Sequence, residues 1–379
     1  NLGSWLSELE CPDQALEPTG EATALYRELA EADPDSYRPK LAATLTNSGT
    51  WLAELGRPDQ ALGPSEEAVA LYRQLATTKD QYRAELATSL DNLGVRFSEL
   101  GRPHASLPVT VEAVTIRREL AASTPDQYSP DLARSLDNLS VTFSELGRPD
   151  EAVGPAQEAV ALYRELATAA PERYWPDLAT SLNNLGVVLS ELGRADEALA
   201  ITAEAVALHH ESATPPARHR SDMARALENL GVRLSELGRP DEALKPTEEA
   251  IALYRDIVAT RPGPYSPDLA RALDNLAITL SELGRLDEAL TAAHEAVALL
   301  REAAATNPER YRADLATSLN NLSATLLESN HPNQAHAAAQ EAITIRRELT
   351  AADPERYSAD LATTLDNLAA AQEELGHPN

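Results

Sequence analysis

Apolar residues in this chain recur at alternating steps of three and four, the spacing that lines one face of an α-helix. One such stripe consists of Leu178, Leu182, Leu185, Leu189 and Leu192. Pro176 precedes it, and proline suits the first position of a helix. Gly193 follows it, in the position where glycine ends a helix with left-handed geometry. A second stripe starts after the acidic pair Asp196-Glu197. The pattern predicts two amphipathic helices, A and B, joined by a tight turn.

This helix pair repeats along the whole chain. An Asn followed in most copies by Leu and a small residue recurs every 45 or 46 residues, at Asn1, Asn47, Asn92, Asn138, Asn184, Asn229, Asn275, Asn321 and Asn367. So constant a register predicts one solenoid domain over residues 1–379, with eight helix A–helix B units and helix A of a ninth. The chain starts inside a repeat and without Met, so we expect a fragment of a longer protein.

The motif Leu185-Gly186, Leu189, Gly193, Ala198 and Ala205 resembles the tetratricopeptide repeat. The second alanine occurs in all eight units. The period of about 46 residues instead of 34 resembles the long-helix variant of kinesin light chains and bacterial signalling proteins. The resemblance implies an all-α, right-handed superhelical α-solenoid of antiparallel helix pairs, with helix A on the concave face. One departure is the large aromatic residue of helix B, replaced here by Thr19, Ser65, Thr110, Ala156, Thr202, Thr247, Ala293 and Ala339.

The recurrent Asn is the first candidate for a functional residue. It comes one position before a core Leu, so its side chain is expected to point toward the concave face. Thr180, Val187 and Glu191 share that face with Asn184. An amide both donates and accepts hydrogen bonds, and the resemblance implies that this position grips extended peptides. Two alternatives stay open: the Asn was merely copied by recent duplication, or it binds the neighbouring repeat.

Charged residues complete the candidate site on the concave face. Acidic residues dominate it, and some glutamates have an alternative role as partners of arginines in the A–B turns, such as Arg148 and Arg194. The predicted peptide-binding residues are Asn47, Asn92, Asn138, Asn184, Asn229, Asn275, Asn321, Arg134, Arg225, Arg271, Asp91, Asp137, Asp274, Glu145, Glu191 and Glu236.

Net charge narrows the classes of partner. The formal charge of −28 repels phosphate backbones and anionic lipid, so we expect neither nucleic acid nor a membrane as partner.

The single cysteine, Cys11, excludes a disulfide framework and a thiolate metal cluster. His209, His210 and His219 lie in one repeat, but adjacent histidines point apart on a helix. We therefore expect no metal and no cofactor. The expected location of the chain is the cytoplasm.

No phosphate-binding loop, nucleophile elbow or metalloprotease helix motif is present, so the chain is not expected to be an enzyme. The leading prediction is a protein- or peptide-binding scaffold that captures an extended, neutral-to-basic segment along the helix A face. The alternative is a sensor, regulatory or oligomerisation arm of a larger bacterial signalling protein, fused to an NTPase or a caspase-like protease. Self-association through helix faces is a third interpretation.

Overall fold

The computed structural model describes residues 12–211, 217–260, 262–352 and 354–376. All regular structure in these ranges is helical, which confirms the predicted all-α class. A 3-10 turn covers Asp80–Tyr82. The helices are α1 (Pro12–Ala32), α2 (Pro34–Glu54), α3 (Pro58–Thr78), α4 (Arg83–Glu99), α5 (Pro103–Ser123), α6 (Pro125–Glu145), α7 (Pro149–Ala169), α8 (Pro171–Glu191), α9 (Ala195–Glu211), α10 (Ala217–Glu236), α11 (Pro240–Thr260), α12 (Pro262–Glu282), α13 (Leu286–Thr306), α14 (Pro308–Glu328), α15 (Pro332–Ala352) and α16 (Pro354–Glu374).

Even-numbered helices correspond to helix A of the repeat and odd-numbered helices to helix B. The chain divides into two compact units, Asn1–Ile201 and Thr202–Asn379. In the first unit, consecutive helices from α1 to α8 pack on each other, and in the second unit consecutive helices from α10 to α16 do the same. Successive A helices also contact each other directly, as α4 and α6 do. The prediction that residues 1–379 form a single domain stays a prediction.

The turns between helix A and helix B have the geometry predicted from glycine. Gly101 adopts a φ of 64°, and its N–H donates to the Ser98 carbonyl at 2.8 Å. The next N–H, that of Arg102, reaches back to the Phe97 carbonyl at 2.8 Å. These two bonds form the motif that closes a helix through a left-handed residue. Asn330, with a φ of 60°, replaces glycine in one of these turns.

Helix A begins about one turn earlier than the sequence predicted. The helix α8 starts at Pro171, so Pro176 lies inside it, and α6 likewise starts at Pro125 and includes Pro130. Either proline fits a first turn locally, so the sequence pattern does not choose between them. In α6 the additional turn carries Tyr128, whose ring packs against the core around Leu132.

Helices A and B pack closely because one of two facing positions is always small. Gly94 of α4 lies opposite Thr110 of α5, and a Cβ on Gly94 would come within 2.6 Å of Thr110 Cγ2. Gly49 faces Ser65 in the same way. These facing positions explain the missing aromatic residue in helix B, because a large side chain would not fit there.

Two repeats reverse the sizes at the equivalent positions. Ser140 on helix A goes with Ala156 on helix B, and both side chains are buried. The Ser140 hydroxyl donates to the Ala152 carbonyl at 3.0 Å, so its polar atom is satisfied inside the helix pair. Within the two units, the described residues at these positions form the pairs Gly49–Ser65, Gly94–Thr110, Ser140–Ala156, Gly231–Thr247, Ala277–Ala293 and Ser323–Ala339.

Candidate functional site: the open face of helix A

Each helix A turns one side away from its partner helix. On α6 this side carries Arg134, Asn138, Val141 and Glu145, all partly or fully exposed. Leu136 points the opposite way and is fully buried. We call this side the open face, defined in each repeat by the recurrent Asn, the residue four before it, and the residues three and seven after it. The placement of the Asn on this side agrees with the helical spacing of the sequence.

The recurrent Asn residues fall into two groups by hydrogen bonding. Asn275 Nδ2 donates to Glu228 Oε1 at 3.0 Å, and Asn367 Nδ2 donates to Asn320 Oδ1 at 2.8 Å. Both bonds reach the preceding repeat, as the alternative interpretation expected. A second group, which makes no side-chain hydrogen bond to another described residue, comprises Asn47, Asn92, Asn138, Asn184 and Asn321. Amides of this second group are open to a ligand.

All the Asn residues of the candidate set lie on the open face and are partly exposed: Asn47, Asn92, Asn138, Asn184, Asn229, Asn275 and Asn321. Asn229 has a partner within the chain. Asn1 lies outside the described residues.

An aliphatic row lies beside the Asn row, three residues further along helices α4, α6, α8, α10 and α12. It is partly exposed throughout, and Ile278 keeps 42% of its surface. The members are Val95, Val141, Val187, Val232 and Ile278. Sequence analysis placed Val187 on the face but left this row out of the candidate site. The signal was the recurrence of a β-branched residue at a fixed distance from the Asn.

A glutamate row follows four residues later, with Glu145, Glu191 and Glu236 exposed. Two of its members are oriented by a serine of the preceding repeat: Ser98 Oγ donates to Glu145, and Ser144 Oγ donates to Glu191 Oε1 at 2.6 Å. These bonds cross from one helix A to the next. The stacking of the repeats therefore holds Glu145 and Glu191 in place.

Arginines pair with glutamates at two different places near the turns. Turn arginines bind the glutamate three residues on, in the first turn of helix B, in the pairs Arg148–Glu151, Arg194–Glu197, Arg239–Glu242 and Arg285–Glu288. Within the glutamate row, Glu236 lies 3.3 Å from Arg233 of its own helix, and Glu99 lies 3.3 Å from Arg96.

The aspartates of the candidate site are not on the open face, and this part of the prediction is corrected. Asp91, Asp137 and Asp274 are buried between successive A helices. Each accepts a hydrogen bond from a serine of the following repeat. The bonds are Ser135 Oγ to Asp91 Oδ2 at 2.7 Å, Ser181 Oγ to Asp137 Oδ1 at 2.9 Å, and Ser318 Oγ to Asp274 Oδ1 at 3.0 Å. The position just before the Asn faces the neighbouring repeat, so these carboxylates serve stacking.

Burial changes the titration of these three carboxyl groups. Loss of water disfavours the charged form and raises the pKa of Asp91 to about 6, that of Asp274 to about 7 and that of Asp137 to about 8. The serine hydrogen bond counteracts part of the rise in each case. Near neutral pH Asp137, and in part Asp274, therefore bind a proton that an exposed aspartate would have lost, whereas Asp91 does so only at mildly acidic pH.

The arginines of the candidate site lie on the open face and are about half exposed. Arg134 Nη2 contacts Asp131 Oδ1 at 2.8 Å, and Arg225 Nη2 contacts Asp222 Oδ1 at 2.8 Å. Arg271 Nε contacts the buried Glu228 at 2.7 Å. Each guanidinium thus has a carboxylate partner in the chain. Carboxylates of the chain therefore largely neutralise the positive charge that these three arginines add to the open face.

One groove on the first unit brings the Asn, aliphatic and glutamate rows together. It lies between α4 and α6, has a volume of about 260 Å³, and is lined by Gly94, Val95, Ser98, Glu99, Thr110, Asn138, Val141, Thr142 and Glu145. Since Gly94 has no side chain, Thr110 of α5 also reaches the lining. The groove combines an amide, two valines and two carboxylates at one junction between repeats.

The described residues contain no group of three His, Cys, Asp or Glu side chains that could hold a metal ion. No helix in the described ranges is both long and apolar enough to cross a bilayer. His209 is buried, whereas the His210 ring is about half exposed and lies 3.7 Å from Glu249. The two adjacent histidines thus point apart, as predicted. Cys11 lies outside the described residues, as does the side chain of His219.

Antiparallel helix pairs with glycine-closed turns and small residues at the A–B crossing define an α-helical repeat protein. Models of the tetratricopeptide repeat match most of the chain, at residues 41–76, 86–125, 132–167, 178–212, 223–259, 247–302 and 315–353. The chain belongs to the tetratricopeptide repeat family, which confirms the resemblance drawn from the sequence. It is therefore a protein-interaction scaffold by class.

Solved structures with a similar fold include two that align well. BtubC (BKLC) from P. vanneervenii is 20% identical, with a TM-score of 0.53 over 65% of this chain and 92% of that one. The Rap conjugation gene regulator of the plasmid pLS20, solved with the Phr* peptide, is 15% identical, with a TM-score of 0.56 over 82% and 74%. A putative kinesin light chain of Podosopora anserina is 20% identical over 59% and 98%, with a TM-score of 0.43. A search of curated proteins finds no match.

Proposed function

We propose that the open face of helix A binds an extended, neutral-to-basic segment of a partner protein. The groove between α4 and α6 carries this proposal, because it places Asn138 beside Val141 and Glu145 on an accessible surface. The Asn138 amide is partly exposed and has no side-chain partner among the described residues. One such amide can accept from a peptide N–H and donate to a peptide carbonyl at the same time.

Charge selects among extended segments. The exposed glutamates of the open face, within a chain of net charge −28, favour a partner segment that carries lysine or arginine. Acidic segments would place like charges together. The peptide bound to the pLS20 Rap regulator supports this class of function for a chain of similar fold. Catalysis is no part of the proposal.

The Asn row gives the direct test. We expect the triple substitution Asn92→Ala, Asn138→Ala and Asn184→Ala to weaken binding of a labelled lysine-rich peptide about a hundredfold. Each lost amide contact costs about 0.5–1.5 kcal/mol, and three such losses reach that factor. Fluorescence anisotropy measures the affinity, and circular dichroism checks helicity, which alanine should preserve because it is the better helix former.

Asn275 supplies the matched control, since its amide is already bound to Glu228. Asn275→Ala should lower the urea midpoint of unfolding and leave the peptide affinity of the first unit unchanged. Undiminished binding by a folded triple variant would exclude the Asn row of α4, α6 and α8 as the binding surface. Loss of helicity in that variant would instead support a stacking role for these amides.

A further inference from the structure

The spacing of the repeats restricts which segment fits the open face. Within the first unit α4 and α6 are in direct contact, and the hydrogen bond of 2.7 Å from Ser135 to Asp91 joins them. Helices packed in this way lie about 8–10 Å apart. Each set of Asn, valine and glutamate is therefore followed by the next set at about that distance.

Only some backbone conformations present the same face at that interval. A polyproline II segment has three residues per turn and rises about 3.1 Å per residue, so it repeats its face every ~9 Å. A β-strand repeats its face every two residues, at about 6.6 Å. An α-helix repeats over two turns at about 11 Å, but its own hydrogen bonds occupy the backbone groups that the Asn amides would bind. Polyproline II backbone carries no internal hydrogen bonds.

The rows of the open face indicate which side chains such a segment bears. Val95 and Val141 line the groove and offer an apolar contact at consecutive repeats. Glu99 and Glu145 line the same groove on the side of the glutamate row. An apolar side chain of the ligand would pack on the valines, and the neighbouring side chain would reach the carboxylates.

We infer that the partner is an extended polypeptide with an apolar residue at every third position and a basic residue next to it. This inference rests on the function proposed above, and it names the sequence class that the same surface selects. It predicts that order, and not composition alone, determines affinity.

The test compares three labelled peptides of identical composition, made of leucine, lysine and serine. The first peptide repeats the order Leu-Lys-Ser. The second places the same number of leucines at consecutive alternate positions. The third places them at the heptad spacing of an amphipathic helix. Anisotropy titrations use the full chain. We expect the three-residue order to bind at least about tenfold tighter than either isomer, equivalent to about 1.4 kcal/mol.

Substitutions of the valines on the open face test whether the preference for the three-residue order arises there. The triple change Val95→Thr, Val141→Thr and Val187→Thr keeps the side-chain shape and should abolish the preference for the three-residue order. Val111→Thr is the control, because Val111 is 43% exposed on helix B, away from the open face. This control should leave the preference intact.

The outcomes separate the inference from the function that it rests on. Equal affinity for all three peptides, lost in the Asn triple variant, would overturn the three-residue order and keep binding at the open face. A preference for the heptad peptide would overturn it in favour of a helical ligand. Absence of binding by every peptide would count against both proposals. A preference that survives the valine changes would place the selectivity elsewhere.

Discussion

Gly94→Ser is expected to destabilise the chain by about 1–3 kcal/mol, the usual cost of overpacking. The new Cβ would lie 2.6 Å from Thr110 Cγ2, and threonine is branched at Cβ, so its methyl group cannot rotate away freely. The helix pair α4–α5 would have to open. Urea unfolding followed by circular dichroism should show a lower midpoint, and hydrogen exchange should rise mainly in α4 to α6 because contacts run between neighbours.

Adding Thr110→Ala should restore most of the lost stability, because the double variant copies the natural pair Ser140 and Ala156. We expect a coupling free energy of about 1–2 kcal/mol between the two sites, as for residues in direct contact. Thr110→Ala alone is the second single variant of this double-mutant cycle. Additive effects of the two single substitutions would contradict the view that the sizes of the facing residues depend on each other.

Asp137→Asn is expected to stabilise the chain at pH 8 and to have a much smaller effect at pH 5. Burial raises the pKa of Asp137 to about 8, whereas the unfolded chain titrates near 3.9. A raised folded pKa means that the native state binds the extra proton. Its contribution to stability is therefore complete below about pH 4 and is lost as pH rises toward 8. The gain from the substitution should therefore increase from pH 5 to pH 8, by up to about 1.4 kcal/mol per pH unit.

The neighbouring repeat provides the reverse experiment. Asn183 is buried at the equivalent position of α8, so the chain already uses the uncharged amide there. Asn183→Asp should destabilise the fold at pH 8 and recover toward wild type as pH falls. The measurement is the urea midpoint of each variant minus that of wild type at several pH values. A difference independent of pH for Asp137→Asn would show that this carboxyl group does not titrate in the range.

The period, helix pairing and turns could be predicted from the sequence because they depend on local rules. The residue that ends helix A has a left-handed backbone conformation, which glycine and asparagine adopt most readily. A leucine every three or four residues places the leucines on one apolar face of the helix. The position of the recurrent Asn on the open face followed from its offset to the buried Leu. These features hold wherever the helix pair forms, whatever its neighbours.

The start of helix A and the location of the acidic residues required the tertiary structure. Pro171 and Pro176 both fit a helical first turn, so local sequence left the boundary open. The position of Asp137 on helix α6 does not reveal that Ser181, 44 residues away, covers it. Likewise, Asn138 and Asn275 have the same local setting, yet only Asn275 meets a hydrogen-bond acceptor, Glu228, in the preceding repeat. Repeats of one helical pattern thus differ in chemistry, because each environment is completed by residues of the next or the preceding repeat.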